Sequence, residues 1–171
     1  MNIKQGLSLI IGLLLSCQTM AASGTEILGT FDDWTAYVFS DNGGKVCYMA
    51  TEPTKSEGKY KVRDDVFLFV THRMADKTFD TVNVMAGYTY KTSSKPTFKV
   101  DGKKAFTLVS HADTAWTKDA KTDKALVDQM RAGSKAVLKG TSRRGTLTTD
   151  TFSLKGFSKA YRAIQKACGR E

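Results

Sequence analysis

The sequence is poor in the residues that carry most hydrolytic, redox and metal chemistry. It holds two histidines, His72 and His111, and three cysteines, Cys17, Cys47 and Cys168, among 171 residues. Nucleophilic catalysis needs a base within hydrogen-bond reach of a serine or cysteine, and neither histidine stands in a recognisable nucleophile motif. His72 closes a strand-like run and His111 opens a loop, so both read as ordinary surface or satisfied positions. No HExxH and no CxxC occurs, which leaves zinc-type ligation without a framework. No metal or cofactor is implied, and the chain is expected not to be an enzyme. Prolines are equally scarce, Pro53 and Pro96 being the whole complement. No repeat, low-complexity tract or Pro/Gly-rich linker divides residues 23–171, which reads as a single domain. The one long apolar run, Gly6–Leu15 (GLSLIIGLLL), is too short to cross a bilayer as a helix, which takes about 20 residues.

What is present at the N-terminus has the layout of a secretory signal. Lys4 supplies the positive end, Gly6–Leu15 the apolar middle, and Ala21-Ala22 a small-residue cleavage site before Ser23, giving a signal over residues 1–22. The alternative is a lipoprotein signal over 1–16, because Leu14-Leu15-Ser16-Cys17 looks like a box for acylation at Cys17. Either route exports the protein, to the periplasm or to the outer membrane and cell surface. Removing Lys4, the one charged residue of the signal, lowers the formal charge from +9 to +8. A basic exported protein is drawn to anionic partners such as lipid headgroups, lipopolysaccharide or acidic polysaccharide. Both signs are interspersed along the chain, so solubility alone is the plainer account. With Cys17 in the signal, Cys47 and Cys168 remain. An oxidising compartment favours a bond between them over two free buried thiols, worth about 4–5 kcal/mol on a chain-entropy account.

Strand-like runs dominate the rest. Trp34–Ser40, Lys45–Thr51 and Val66–His72 are rich in aromatic and β-branched residues, and Asp41-Asn42-Gly43-Gly44 between the first two is a hairpin signal. Thr78–Tyr88 alternates, with Val82, Val84, Ala86 and Tyr88 on one face. Thr97–Val100 and Ala105–Ser110 flank Asp101-Gly102, and Lys135–Thr141 and Thr146–Leu154 flank Arg143-Arg144-Gly145. Two helices are expected. The first is Asp123–Ala132, capped by Thr122 or Asp123 and stopped by Gly133. The second spans 156–168, where Phe157, Tyr161, Ile164 and Cys168 form one apolar stripe. Such a pattern predicts a mainly β fold, an antiparallel sandwich with two added helices, the last C-terminal. It sets Cys168 on the packed face of the last helix, where a bond to Cys47 would clamp that helix to the sheet. Trp34, Trp116 and most phenylalanines are expected in the core.

Two further features invite a functional reading. Asp150 shares strand parity with Phe152 and Leu154, which predicts a buried structural acid. Its partners would be the hydroxyls of Thr148, Thr149 or Thr151, or a backbone turn. No second acid or base accompanies it for general acid–base work. Lys155, Lys159, Arg162 and Lys166 repeat at the spacing of the apolar stripe but about 200° away around the helix. Together with Arg143 and Arg144 at a hairpin tip nearby in sequence, they are candidates for an anionic-surface or membrane patch. The plain alternative is a solvated helix face. Too few aromatics accompany these cations for base stacking, so no nucleic-acid partner is expected. Membrane contact is expected only through lipidation or through this basic helix.

The string KVCYMATEPTK (45–55), with FLFVTHR ending at Arg73, VMAGY (84–88), DGKKAFTL (101–108), DTAW (113–116) and the long closing segment KGTSRRGTLTTDTFSLKGFSKAYRAIQKAC, resembles the invasion-associated locus B family of bacterial envelope proteins. The resemblance implies an exported, immunoglobulin-like β-sandwich connected with host-cell invasion or colonisation, and it carries over no catalytic residue. A general periplasmic binding or envelope-maintenance role without a host is the alternative it leaves. Some relatives have an extra cysteine after the Asp-Trp of the first strand. Here that region reads Asp33-Trp34-Thr35-Ala36-Tyr37-Val38, which supports no second disulfide.

Overall fold

Period-2 alternation governs the longer strands of the computed structural model, which describes residues 24–41 and 43–170; the expected signal and Cys17 lie outside the described residues. In chain order the first strands are β1 (Glu26–Phe31), β2 (Trp34–Asp41), β3 (Gly44–Thr51), β4 (Lys55–Gly58), β5 (Phe67–Arg73) and β6 (Thr78–Met85). Then come β7 (Thr97–Val100), β8 (Phe106–Thr107), β9 (Val109–His111) and β10 (Thr114–Trp116). Helix α1 (Ala120–Arg131), β11 (Lys135–Thr141), β12 (Leu147–Ser153) and helix α2 (Phe157–Ala167) complete the described elements. One sheet has the order β1-β2-β3-β5-β6-β10-β9 and the other β4-β12-β11-β7-β8, with every neighbouring pair antiparallel.

The inward parity of the first sheet buries Trp34, Ala36, Cys47, Met49, Leu68, Val70, Val82 and Val84, and that of the second buries Phe98, Val100, Ala136, Leu138 and Phe152, all in one cluster. Helix α2 adds Phe157, Ala160, Tyr161 and Ile164 to that cluster. Its Phe157 ring stands edge-on to Trp34 at 4.9 Å. The turn leading into α2 is held from two sides: Trp34 Nε1 donates to the Ser153 carbonyl at 3.0 Å, and the Asp33 N–H donates to Lys155 O at 3.3 Å. Gly156 begins the helix with φ +89°, and an added Cβ would run into the Phe31 carbonyl. Only glycine combines that left-handed backbone with so close an approach.

The mainly β sandwich with two helices is present, and it differs from the sequence reading in several elements. The run 105–110 is not one strand. It crosses between the sheets at buried Leu108, leaving β8 in one and β9 in the other. The run 78–88 stops at Met85, and β1, β4 and β10 are additional. Helix α1 starts earlier than expected because its cap is Asp119, whose Oδ1 accepts the Thr122 N–H at 2.8 Å. Several aromatics expected inside lie on the outer face of the first sheet. Phe39, Phe67 and Phe69 form a half-exposed row with Tyr37 and Tyr48, and the two tyrosines stack at 4.8 Å. Cross-strand aromatic contact, not burial, accounts for their place in the strands. Trp116 is half-exposed at the end of β10.

Candidate functional site

Asp150 lies in the middle of β12, opposite Leu138 of β11 and Ser56 of β4, and its side chain is fully buried. A carboxylate without partners there would cost several kcal/mol. The expected threonine hydroxyls do not supply them. Arg63, from the segment between β4 and β5, does: Nη1 donates to Oδ1 at 2.7 Å and Nη2 to Oδ2 at 2.8 Å. Its Nε donates to the Ala86 carbonyl at 2.7 Å. The guanidinium also lies over the rings of Tyr88 (4.9 Å) and Tyr60 (5.4 Å), and the Tyr88 hydroxyl shares a 2.7 Å hydrogen bond with Thr148 Oγ1. The Asp64 N–H donates to Gly87 O at 3.1 Å. That approach needs glycine, because φ is +66° at Gly87 and a Cβ would strike the Asp64 carbonyl. Gly140 leaves the room on β11 that the Tyr88 hydroxyl and Tyr90 ring occupy.

This buried pair positions a surface cleft. Anchoring Arg63 fixes residues 59–64 as one wall. The β11–β12 tip, residues 142–146, forms the other, with Gly87–Thr89 between them, and the cavity measures about 550 Å³. Lys59, Lys61, Arg143 and Arg144 line it, and Asp64 is the one unburied carboxylate among its lining residues. None of the four cations joins an ion pair among the described residues. A more open recess of about 760 Å³ shares Lys59 and Arg144 and continues to Leu147.

Arg143 and Arg144 are therefore brought together with two lysines that sequence reasoning did not single out, and not with the helix stripe. The seven residues of β12, at about 3.3 Å each, put roughly 20 Å between the hairpin tip and the start of α2. The stripe itself is partly used up within the fold. Lys155 and Lys159 place their Nζ atoms 3.2 and 3.6 Å from the carboxylate oxygens of Asp32, and Lys155 is the main cause that holds the Asp32 carboxyl below its usual range. Arg162 and Lys166 are exposed. Nothing local could have revealed Arg63 as the partner of Asp150, since 87 residues separate them.

The remaining candidates sit at the α2 end. Cys47 of β3 is bonded to Cys168, directly after α2, with Cα atoms 6.1 Å apart. His72 pairs with Cys47 across β3 and β5 and is fully buried. Its Nδ1 accepts the Asp80 N–H at 3.1 Å, while the Tyr161 hydroxyl donates to Asp80 Oδ1 at 2.6 Å. Burial pushes the His72 imidazole down to about 4, with the Asp80 carboxylate opposing that shift. His111 is exposed at the end of β9, paired with Thr114 of β10.

Residues 34–165 match the family described as Invasion associated locus B (IalB) protein. The chain belongs to that family. The matched segment runs from buried Trp34 into α2, so both walls of the cleft and the Arg63–Asp150 pair fall within the IalB region. No curated protein and no solved structure matches the chain.

Proposed function

We propose that this IalB-family protein is a non-catalytic, exported envelope or surface protein that binds an anionic surface during host-cell invasion or colonisation, and that the cleft between residues 59–64 and 142–146 is where it binds. The observation that carries the reading is four cations around one cavity with a single unburied carboxylate among the lining residues, held on a rigid buried ion pair. Unpaired cations converging on a concavity raise the local concentration of anionic partners. Family membership and a disulfide support export, since such bonds persist in oxidising compartments. His72 is sealed in the core and Asp150 is engaged by Arg63, so neither is free for proton transfer, which supports a binding role over catalysis.

Retention on immobilised heparin, used as a soluble-polyanion probe, tests this. The parent protein should be retained and should elute with salt, because exposed charge is screened. Replacing Lys59, Arg143 and Arg144 by Gln should weaken retention by more than tenfold, at roughly one decade per 1.4 kcal/mol. Replacing Arg162 and Lys166 by Gln should change it much less. Equal losses from both sets would return the assignment to net charge alone. Adhesion of protein-coated beads to cultured cells, abolished by the cleft variant, would place the surface on the host; adhesion unaffected by that variant would favour an envelope role without one.

A further inference from the structure

Resting on that reading of the cleft, we infer that its anionic partner is a lipid bilayer with acidic headgroups, entered by the side chains of Val62 and Leu147. These are the two most exposed large apolar side chains among the described residues, 87% and 73% exposed. They flank the same cations: Val62 lines the cleft beside Lys59, Lys61 and Arg144, and Leu147 lines the adjoining recess with Lys59 and Arg144. Tyr60, also exposed, stands between the two lysines in sequence with its ring against Arg63. A site built only for a soluble polyanion gains nothing from apolar side chains held in water. The combination of a cationic ring with protruding apolar and tyrosine side chains fits the boundary between headgroups and acyl chains, where charge attracts and apolar area anchors. Tyrosine is at home at that depth, one end apolar and the other wet.

Both anchors are presented from fixed backbone. Val62 precedes Arg63, whose guanidinium is locked onto buried Asp150 and Ala86 O. Leu147 opens β12, paired with Thr141 of β11, and its alternation with buried Thr148 and Asp150 turns it outward. Entry into a membrane would then require no refolding. Because they touch nothing in the core, Val62 and Leu147 can be replaced without disturbing it.

The test compares the purified protein on vesicles of phosphatidylcholine alone, on vesicles containing about a third phosphatidylglycerol, and on heparin, for the parent, a Val62→Ser/Leu147→Ser double variant and a Lys59→Gln/Arg144→Gln double variant. The parent should sediment with the acidic vesicles and leave the neutral ones. The apolar double variant should lose acidic-vesicle binding by roughly tenfold or more at an unchanged melting temperature, a far larger factor than any loss of heparin retention. The charge variant should lose both partners. A Val62→Trp variant should shift its emission to the blue on acidic vesicles only. Undiminished vesicle binding by the apolar variant, or a parent that binds heparin but not acidic vesicles, overturns this inference and leaves the anionic cleft standing. A parent that binds neither overturns both.

Discussion

At Arg63 and Asp150 a guanidinium and a carboxylate satisfy each other inside the sandwich, so each is costly to remove alone. Arg63→Ala and Asp150→Ala should each destabilise the protein by about 3–5 kcal/mol, since each leaves a buried charge without its counter-ion. The double variant should lose far less than the two together, and a double-mutant cycle by chemical denaturation measures that coupling. Additive losses would mean that the pair is not the anchor of the cleft. His72 gives a second prediction at this scale, with a defined sign. Its folded value, about 4, lies below the ordinary 6.5, so the unfolded chain takes up a proton that the native state refuses. The stabilisation is fully present above pH 6.5 and is lost as pH falls towards 4, by roughly 2–3 kcal/mol. Asp123, whose carboxyl is raised by burial, works in the opposite direction. The His72→Gln variant separates the two: denaturation midpoints between pH 7 and 4.5 should fall in the parent and flatten in the variant.

Among the elements, the ties between α2 and the sheet dominate. The disulfide fastens one end of that helix to β3, while Gly156 and the Trp34–Ser153 bond seat the other. Cys47→Ser and Cys168→Ser should each cost about 4–5 kcal/mol, and the double variant little more, because the bond is lost only once. Thermal melts of the three variants decide this, and additive losses would dissociate the residues. The elements themselves were legible to different degrees, for physical reasons. The apolar stripe Phe157, Tyr161, Ile164 and Cys168 is strong because helix periodicity and burial agree. The alternation that turns Asp150 inward is equally local. Strand β4 (Lys55–Gly58) is exposed throughout, so no hydrophobic pattern marks it, and its pairing with β12 is purely a matter of backbone geometry. The sheet crossing at Leu108 hides inside an unbroken β-like run. Half of the cleft was visible as Arg143-Arg144 at a hairpin tip. The other half, Lys59 and Lys61, becomes part of a site only through the tertiary contact of Arg63.

On the scale of the whole molecule the two ends of β12 engage their cations differently. One end carries the cleft and its unpaired cations; the other leads into α2, where Asp32 and the carbonyl of Ala167 occupy Lys155, Lys159 and Lys45. A partner surface that approaches the cleft end by long-range attraction meets four cations that no carboxylate among the described residues has claimed. The same layout has a temporal side. The thiol of Cys47 lies near the start of the fold and its partner 121 residues later, so a chain emerging N-terminus first carries that cysteine unpaired with Cys168 until the whole intervening segment has appeared. Closure of the covalent ring becomes a late checkpoint: a truncated product can never close it, and the free thiol that remains is a chemical mark distinguishing unfinished molecules from finished ones.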